Sequence, residues 1–300
     1  MRVLLAAPSS PSRLHSLVPF AWALRSAGHD VKIAGRPSFV EEILRTGCVA
    51  VDLEGGDEAE LAESAALVEF AKLWRPEVVV SDAQAPAGTA AARAVAAVAV
   101  RLLGVLDEPD ASEVDLALDV VPPSLRDPGS SATPVRHVPY FGPAVVPAWL
   151  RRKARRSRIL LSLNEAAAFG PVFAAVSDVD AELVCAVEPS ALPSDISLPA
   201  NVKLVDAAPP AAVLPTCAAV VHDGDGALAL AAVASGLPQL SLAESAFGRR
   251  VAGAGAGLVG AADGISRLVA DDALRAGAAA LGAEVAALPA PRAVVADLAR

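Results

Sequence analysis

Short apolar runs alternate with stretches of helical spacing along most of this 300-residue chain. Val3–Ala7 reads as a buried strand, and Ser16–Ala27 as a helix stopped by Gly28. A strand at Val31–Ala34 and a helix at Pro37–Thr46, closed by Gly47, come next. Ala50–Leu53 (strand), Glu58–Leu73 (amphipathic helix), Glu77–Val80 (strand), Gly88–Ala97 (helix) and Val98–Leu103 (strand) follow. Strands that alternate with helices imply a parallel, doubly wound sheet, whose strand ends form the binding cleft. Ser9–Arg13, with Ser10 and Arg13 foremost, and Ser81–Gln84 lie at such ends.

Residues 107–150 lose this rhythm and are rich in Pro, Gly and Asp, which puts a domain boundary near Pro147–Ser157. The alternation then restarts. Strands are expected at Arg158–Leu163, Glu182–Ala186, Val202–Val205, Ala218–His222 and Gln239–Ser241. Helices are expected at Pro171–Val176, Ala211–Pro215, Ala227–Ser235 and Phe247–Ala254, and two more close the chain. The fold class is therefore α/β, with Rossmann-like domains over 1–150 and 151–300, the last helix able to return to the first domain.

Composition narrows the function classes. The chain is 54% hydrophobic with a net charge of −9, which provides for two cores and disfavours nucleic acid as a partner. No run of about 18 uncharged apolar residues predicts a membrane span. The first residues, Met1-Arg-Val-Leu-Leu-Ala-Ala-Pro, read as a strand rather than a signal peptide. Cys48, Cys185 and Cys217 are odd in number and far apart, which suits a reducing cytoplasm and no disulfide or zinc framework. The basic run Arg151-Arg-Lys-Ala-Arg-Arg-Ser-Arg158 reads as a solvated linker, or else as a docking patch for an acidic partner.

Five segments in order, Leu17-Val-Pro-Phe-Ala-Trp-Ala-Leu-Arg-Ser-Ala-Gly-His29, Trp74-Arg-Pro-Glu-Val-Val-Val-Ser-Asp82, Pro122-Pro-Ser-Leu-Arg126, Val138–Leu150 and Leu214-Pro-Thr-Cys-Ala-Ala-Val-Val-His222, resemble the macrolide- and polyketide-type glycosyltransferases of family 1. The resemblance implies the GT-B fold, two Rossmann-like domains facing across a cleft. It also implies transfer of a deoxysugar from a nucleoside diphosphate to an aglycone hydroxyl. An aglycone-like small molecule is the implied ligand, and no metal or other cofactor is expected.

The departures from that family pattern concentrate where chemistry is implied. Family members are longer, and spend several dozen residues where this chain runs from Leu106-Asp107 to Asp115. The family's donor loop resembles His-His-Gly-Gly-Ala-Gly-Thr, whose small residues bring a diphosphate to a helix N-terminus. Here the sequence is His222-Asp-Gly-Asp-Gly-Ala-Leu228, with His222 matching the first family His. Asp225 is placed to cap the following helix. At roughly 6 Å and an effective dielectric near 20, each carboxylate–phosphate pair costs about 2–3 kcal/mol. Asp223 and Asp225 together then offset most of a micromolar affinity, worth roughly 8 kcal/mol.

Asn164-Glu165 replaces the Gly-Thr/Ser turn implied after the first strand of the second domain, and Glu244 is the one carboxylate near the lost acidic–amide pair after Leu242. The family's base falls on Arg13, which cannot act as a base at neutral pH. His15, two residues on in a loop, can pair with Asp82 as a general base or stand as a partly exposed structural histidine. Gly255-Ala-Gly-Leu-Val-Gly260 meets a dinucleotide spacing but follows a helix, and so reads as a turn. His29 and His137 read as structural, and Trp22, Trp74 and Trp149 as packing, with Trp22 alone within reach of an aglycone.

Three functions stay open. The chain is a pseudoenzyme of antibiotic biosynthesis that helps a partner glycosyltransferase, or pairs with a second copy of itself. Alternatively it is a repurposed cyclase- or isomerase-type enzyme using His15 with Asp82, or the carboxylates of 223–225. The third function is glycosyl transfer from an altered donor.

Overall fold

The computed structural model describes residues 1–53, 60–105, 107, 114–126, 129–152, 154–164, 168–187, 190, 192–193 and 196–298. The chain divides into two compact units, Met1–Pro143 with Leu288–Arg300, and Ala144–Ala287.

The first unit is built on seven parallel strands: β1 (Arg2–Ala6), β2 (Asp30–Gly35), β3 (Val49–Asp52), β4 (Val78–Asp82), β5 (Val98–Leu103), β6 (Leu116–Asp119) and β7 (Thr133–Pro134). Their order is β3-β2-β1-β4-β5-β6-β7, so the winding reverses between β1 and β4. Helices α1 (Pro11–Ser26), α2 (Val40–Arg45), α3 (Glu60–Trp74) and α4 (Ala87–Ala94) connect them. Strands β1 and β4 are apolar on both faces because helices cover both, and Leu4, Leu5, Val79 and Val80 are buried.

The second unit repeats this plan with six parallel strands: β8 (Ser157–Ser162), β9 (Ala181–Ala186), β10 (Val202–Val205), β11 (Ala219–His222), β12 (Gln239–Ser241) and β13 (Gly257–Val259). The order is β10-β9-β8-β11-β12-β13, with its reversal between β8 and β11. Helices α5 (Phe169–Val176), α6 (Pro210–Val213), α7 (Gly226–Ala234), α8 (Ala246–Gly253), α9 (Gly264–Ala270) and α10 (Asp272–Ala287) accompany the strands. The core holds Ile159, Phe173, Leu183, Val221 and Ile265. The last helix, α11 (Pro291–Leu298), belongs to the first unit and packs on α1.

Several elements differ from the sequence pattern. Strands β6 and β7, four and two residues long, lie in the stretch that had lost its rhythm, being too short to show an alternation. Three helices rather than two close the chain. Helix α1 starts at Pro11 rather than Ser16, with Ser10 extended before it and proline at the first position, where a missing N–H costs nothing. Pro19, which suits a first turn, sits in the helix interior instead.

Asp272–Leu298 holds an 18-residue window with a mean hydropathy of 1.3, long and apolar enough by composition to cross a membrane. In the structure it divides into α10 and α11, separated by Leu288–Ala290, and α10 packs on α7 with Leu274, Ala278, Leu281 and Val285 buried.

Candidate functional site

In open parallel sheets, ligands gather at the C-terminal strand ends where the winding reverses. Each unit has one such point, and the sequence candidates divide between them.

In the first unit, Asp82 ends β4 and Arg13 stands in the first turn of α1, just after β1. Arg13 Nη1 donates to Asp82 Oδ1 at 3.4 Å and to Asp107 Oδ2 at 2.5 Å. Asp82 Oδ1 also accepts from the Gln84 N–H at 2.8 Å, and Asp107 Oδ2 from the Gly104 N–H at 2.8 Å. Asp82 is 3% exposed, and burial lifts its carboxyl to about 6 against the opposing pull of the Gln84 N–H and Arg13. Burial works to lower the Arg13 pKa, but the hydrogen bond to Asp107 and the charges of Asp82 and Asp107 together raise it. A guanidinium locked between two carboxylates stays charged and takes up no proton.

His15 is not part of this cluster, and the expected His15–Asp82 pair does not form. Because α1 begins at Pro11, both residues ride on a helix rather than a loop, and two residues on a helix turn the side chain by about 200°. His15 Nε2 lies 3.6 Å from Glu42 Oε1, beyond hydrogen-bonding distance, and its ring meets Tyr140 edge-on at 5.1 Å. Gly142 adopts a φ of +85°, and a Cβ there would stand 3.3 Å from His15 Nε2. Burial lowers the His15 pKa, with Glu42 opposing.

Trp22 joins the same aromatic group through Tyr140, at 4.8 Å, and donates from Nε1 to the Thr46 carbonyl. Ser10 Oγ is 3.2 Å from Ser12 Oγ and caps no helical N–H. A cavity of about 330 Å³ opens beside it, lined by Ser9, Arg36, Gln84 and the apolar side chains of Ala34, Leu53 and Leu67.

In the second unit, β8 and β11 deliver Asn164 and the 222–225 loop to the other reversal point. His222 is 1% exposed; its Nδ1 accepts from the Gly224 N–H at 3.1 Å. Its Nε2–H therefore donates to Gln239 Oε1, 2.9 Å away, and Gln239 in turn donates to the Ala229 carbonyl. Burial lowers the His222 pKa, which leaves a neutral, structural imidazole. Gly224 takes a φ of +100°, which turns the chain sharply between the two aspartates.

Asp223 accepts from the Asn164 N–H at 2.5 Å and from Asn164 Nδ2 at 3.1 Å. Asp225 caps α7, its Oδ1 accepting from Ala227 N at 2.9 Å and Leu228 N at 3.1 Å. The helix N-terminus, a ready anion site, thus already holds a carboxylate of the chain's own. Glu244 is exposed and pairs with Arg249 at 3.3 Å. Glu165 lies outside the described residues. Among the described residues no group of three or more His, Cys, Asp or Glu is arranged to hold a metal ion.

The sequence missed Asp107, the closest partner of Arg13. No local signal marks it, since 94 residues separate the pair.

Comparison with known proteins places these features. Residues 171–300 match the C-terminal domain model, and residues 105–164 the N-terminal domain model, of erythromycin biosynthesis protein CIII-like proteins. The chain is 30% identical to a TDP-daunosamine transferase of Streptomyces peucetius, in a match taking in 99% of this chain and 96% of that protein. That alignment runs over 414 positions against a chain of 300, so more than a hundred of them belong to the relative alone. A tylactone mycaminosyltransferase of Streptomyces fradiae is 29% identical over 100% of this chain and 92% of that protein. Among solved structures, the glycosyltransferase SnogD from Streptomyces nogalater superposes with a TM-score of 0.90 at 29% identity, covering 100% of this chain and 98% of that one. The glycosyltransferase VinC, solved in complex with dTDP, gives 0.89 at 29% identity, covering 100% and 99%. The architecture is GT-B.

Proposed function

This chain belongs to the erythromycin biosynthesis protein CIII-like family of antibiotic glycosyltransferases, and from that premise we propose that it has given up sugar transfer and serves a partner glycosyltransferase as a helper. The observation that carries this reading is Arg13. It stands where the resemblance puts the family's base, and it is ion-paired to both Asp82 and Asp107. A sugar-accepting hydroxyl must lose its proton, and general bases contribute about 10²–10⁴-fold to such steps. Arg13 takes no proton, and the neighbouring imidazole of His15 is turned to Glu42 and Tyr140.

The second unit supports the same reading. Asp225 satisfies the α7 N-terminal amides that a diphosphate would otherwise meet, and Asp223 ties the loop to Asn164. The alternative of acid–base chemistry by His15 with Asp82 draws no support from this geometry.

A second reading, transfer from an altered sugar donor, is favoured by the near-complete match to proteins that are themselves named as transferases. Titration calorimetry with dTDP separates the two. The helper reading expects no saturable binding at the 222–225 loop; micromolar binding there would sink it. Pull-down with the glycosyltransferase of the same biosynthetic cluster tests the helper role, and a failure to associate counts against it.

A further inference from the structure

The run Arg151–Arg158 is more than a solvated linker. After a 3-10 turn at Ala148–Arg151 the chain enters β8, and the cations gather at the N-terminal ends of β8, β9 and β10. In a parallel sheet that is the end opposite to Asn164 and His222. A cavity of about 940 Å³ opens there.

Its floor is fixed. The Arg158 side chain is 3% exposed, donates to Glu182 Oε2 from Nε at 3.2 Å and to Thr216 Oγ1 from Nη1 at 2.6 Å, and lies 5.1 Å from the centre of the Trp149 ring. Lys203 Nζ approaches the same ring to 4.9 Å and Glu182 Oε1 to 3.9 Å. Glu182 is therefore already engaged by two cations. Above this floor stand Arg152 and Arg155, exposed and without a carboxylate partner among the described residues, while Arg156 pairs with Asp180 at 3.2 Å. Five cations (Arg152, Arg155, Arg156, Arg158, Lys203) against two carboxylates, Glu182 in the lining and the Asp180 paired to Arg156, leave three positive charges in excess (five minus two), in a chain whose net charge is −9.

We propose that this cavity binds a small molecule carrying two or more linked phosphate groups, held by Arg152 and Arg155 over the Trp149–Arg158–Lys203 floor. The volume falls within the roughly 300–1,000 Å³ typical of small-ligand pockets. Arginine forks match phosphate oxygens in pairs, which single ammonium groups do not. Like charges gathered without counter-charges also repel one another, and a polyanion relieves that repulsion. The inference is independent of whether the chain transfers sugar.

Titration calorimetry of the full chain with inorganic tripolyphosphate and with ATP, in about 150 mM NaCl to screen loose surface attraction, tests it. Saturable one-to-one binding of both is expected, with dissociation constants below about 1 mM. Arg152→Ala/Arg155→Ala, whose side chains are exposed and whose melting temperature stays at the wild-type value, weakens both at least tenfold. Absence of saturable binding, equal binding by the double variant, or adenosine binding as tightly as ATP overturns the proposal.

The same variant keeps this proposal separate from the helper reading, since dTDP also carries a diphosphate. Binding of dTDP that disappears in the double variant belongs to this cavity. Binding that survives it belongs elsewhere and counts against the helper reading alone.

Discussion

Arg13 and His15 sit two positions apart on one helix and serve opposite sides of it: Arg13 clamps Asp82 and Asp107, while His15 packs against Tyr140 beside Glu42. The arginine is therefore part of the architecture of the first unit. Removing one partner of a buried pair leaves uncompensated charge, at a cost of about 3–5 kcal/mol. Arg13→Ala is expected near the lower end of that range, because 19% of its side chain reaches solvent. Denaturant unfolding checks this. Asp82→Asn/Arg13→Ala should recover part of the loss, and a double variant no more stable than Arg13→Ala counts against the coupling.

Two groups of the first unit act on stability with opposite sign below neutral pH. Burial lifts the Asp82 carboxyl to about 6, so the folded state binds its proton more readily than the unfolded chain does. The stability this supplies is present in full below about 3.8 and is lost as pH rises through 6. Burial pushes His137 down to about 4, so its contribution is present above 6.5 and is lost as pH falls through 4. Each has a limiting slope of about 1.4 kcal/mol per pH unit, and the two oppose between pH 4 and 6. Asp82→Asn should steepen the loss of stability on acidification, and His137→Gln should make stability rise as pH falls through that window. Denaturant midpoints measured from pH 4 to 7 decide it; parallel curves for wild type and both variants would refute the assignment.

What the sequence revealed follows the range of the interactions involved. The central strands of both sheets were legible because parallel strands buried on both faces leave uninterrupted apolar runs, such as Val-Val-Val before Asp82. The Asp225 cap was legible too, since its partners lie two and three residues away. The Arg13–Asp107 pair was not, because it depends on how β1 and β5 line up around β4. The facing of His15 turned on where α1 begins, at Pro11 rather than at Ser16. The cation cavity appeared in the sequence only as charge, since Lys203 and Glu182 reach it from other strands.

The aspartates of the 222–225 loop have separable roles. Asp225→Ala removes the α7 cap and should lower stability by about 1 kcal/mol. Asp223→Gly/Asp225→Gly frees the helix N-terminus and removes two carboxylates facing an incoming diphosphate, each worth about 2–3 kcal/mol of repulsion at roughly 6 Å. That variant should gain measurable dTDP affinity over wild type. Calorimetry on both proteins, each carrying Arg152→Ala/Arg155→Ala, reads the gain at this loop alone. An unchanged affinity would mean that the aspartates are not what keeps a diphosphate out.

Helix α10 approaches the turn after α7 backbone to backbone. A Cβ on Gly282 would lie 2.8 Å from the Gly236 Cα and 2.9 Å from its nitrogen, and Gly236 itself holds a φ of +66°. Neither neighbour is a flexible side chain that can swing aside, so relief requires α10 to move off α7. Overpacking of this kind costs about 1–3 kcal/mol, which outweighs the gain of up to about 1 kcal/mol from replacing a helical glycine with alanine. Gly282→Ala should therefore lower the melting temperature of the full chain. Gly253→Ala, inside α8 with open space around the new methyl, should leave it unchanged or raise it. Should Gly282→Ala melt at or above the wild-type temperature, the close approach of α10 to the Gly236 turn is not what holds that helix in place.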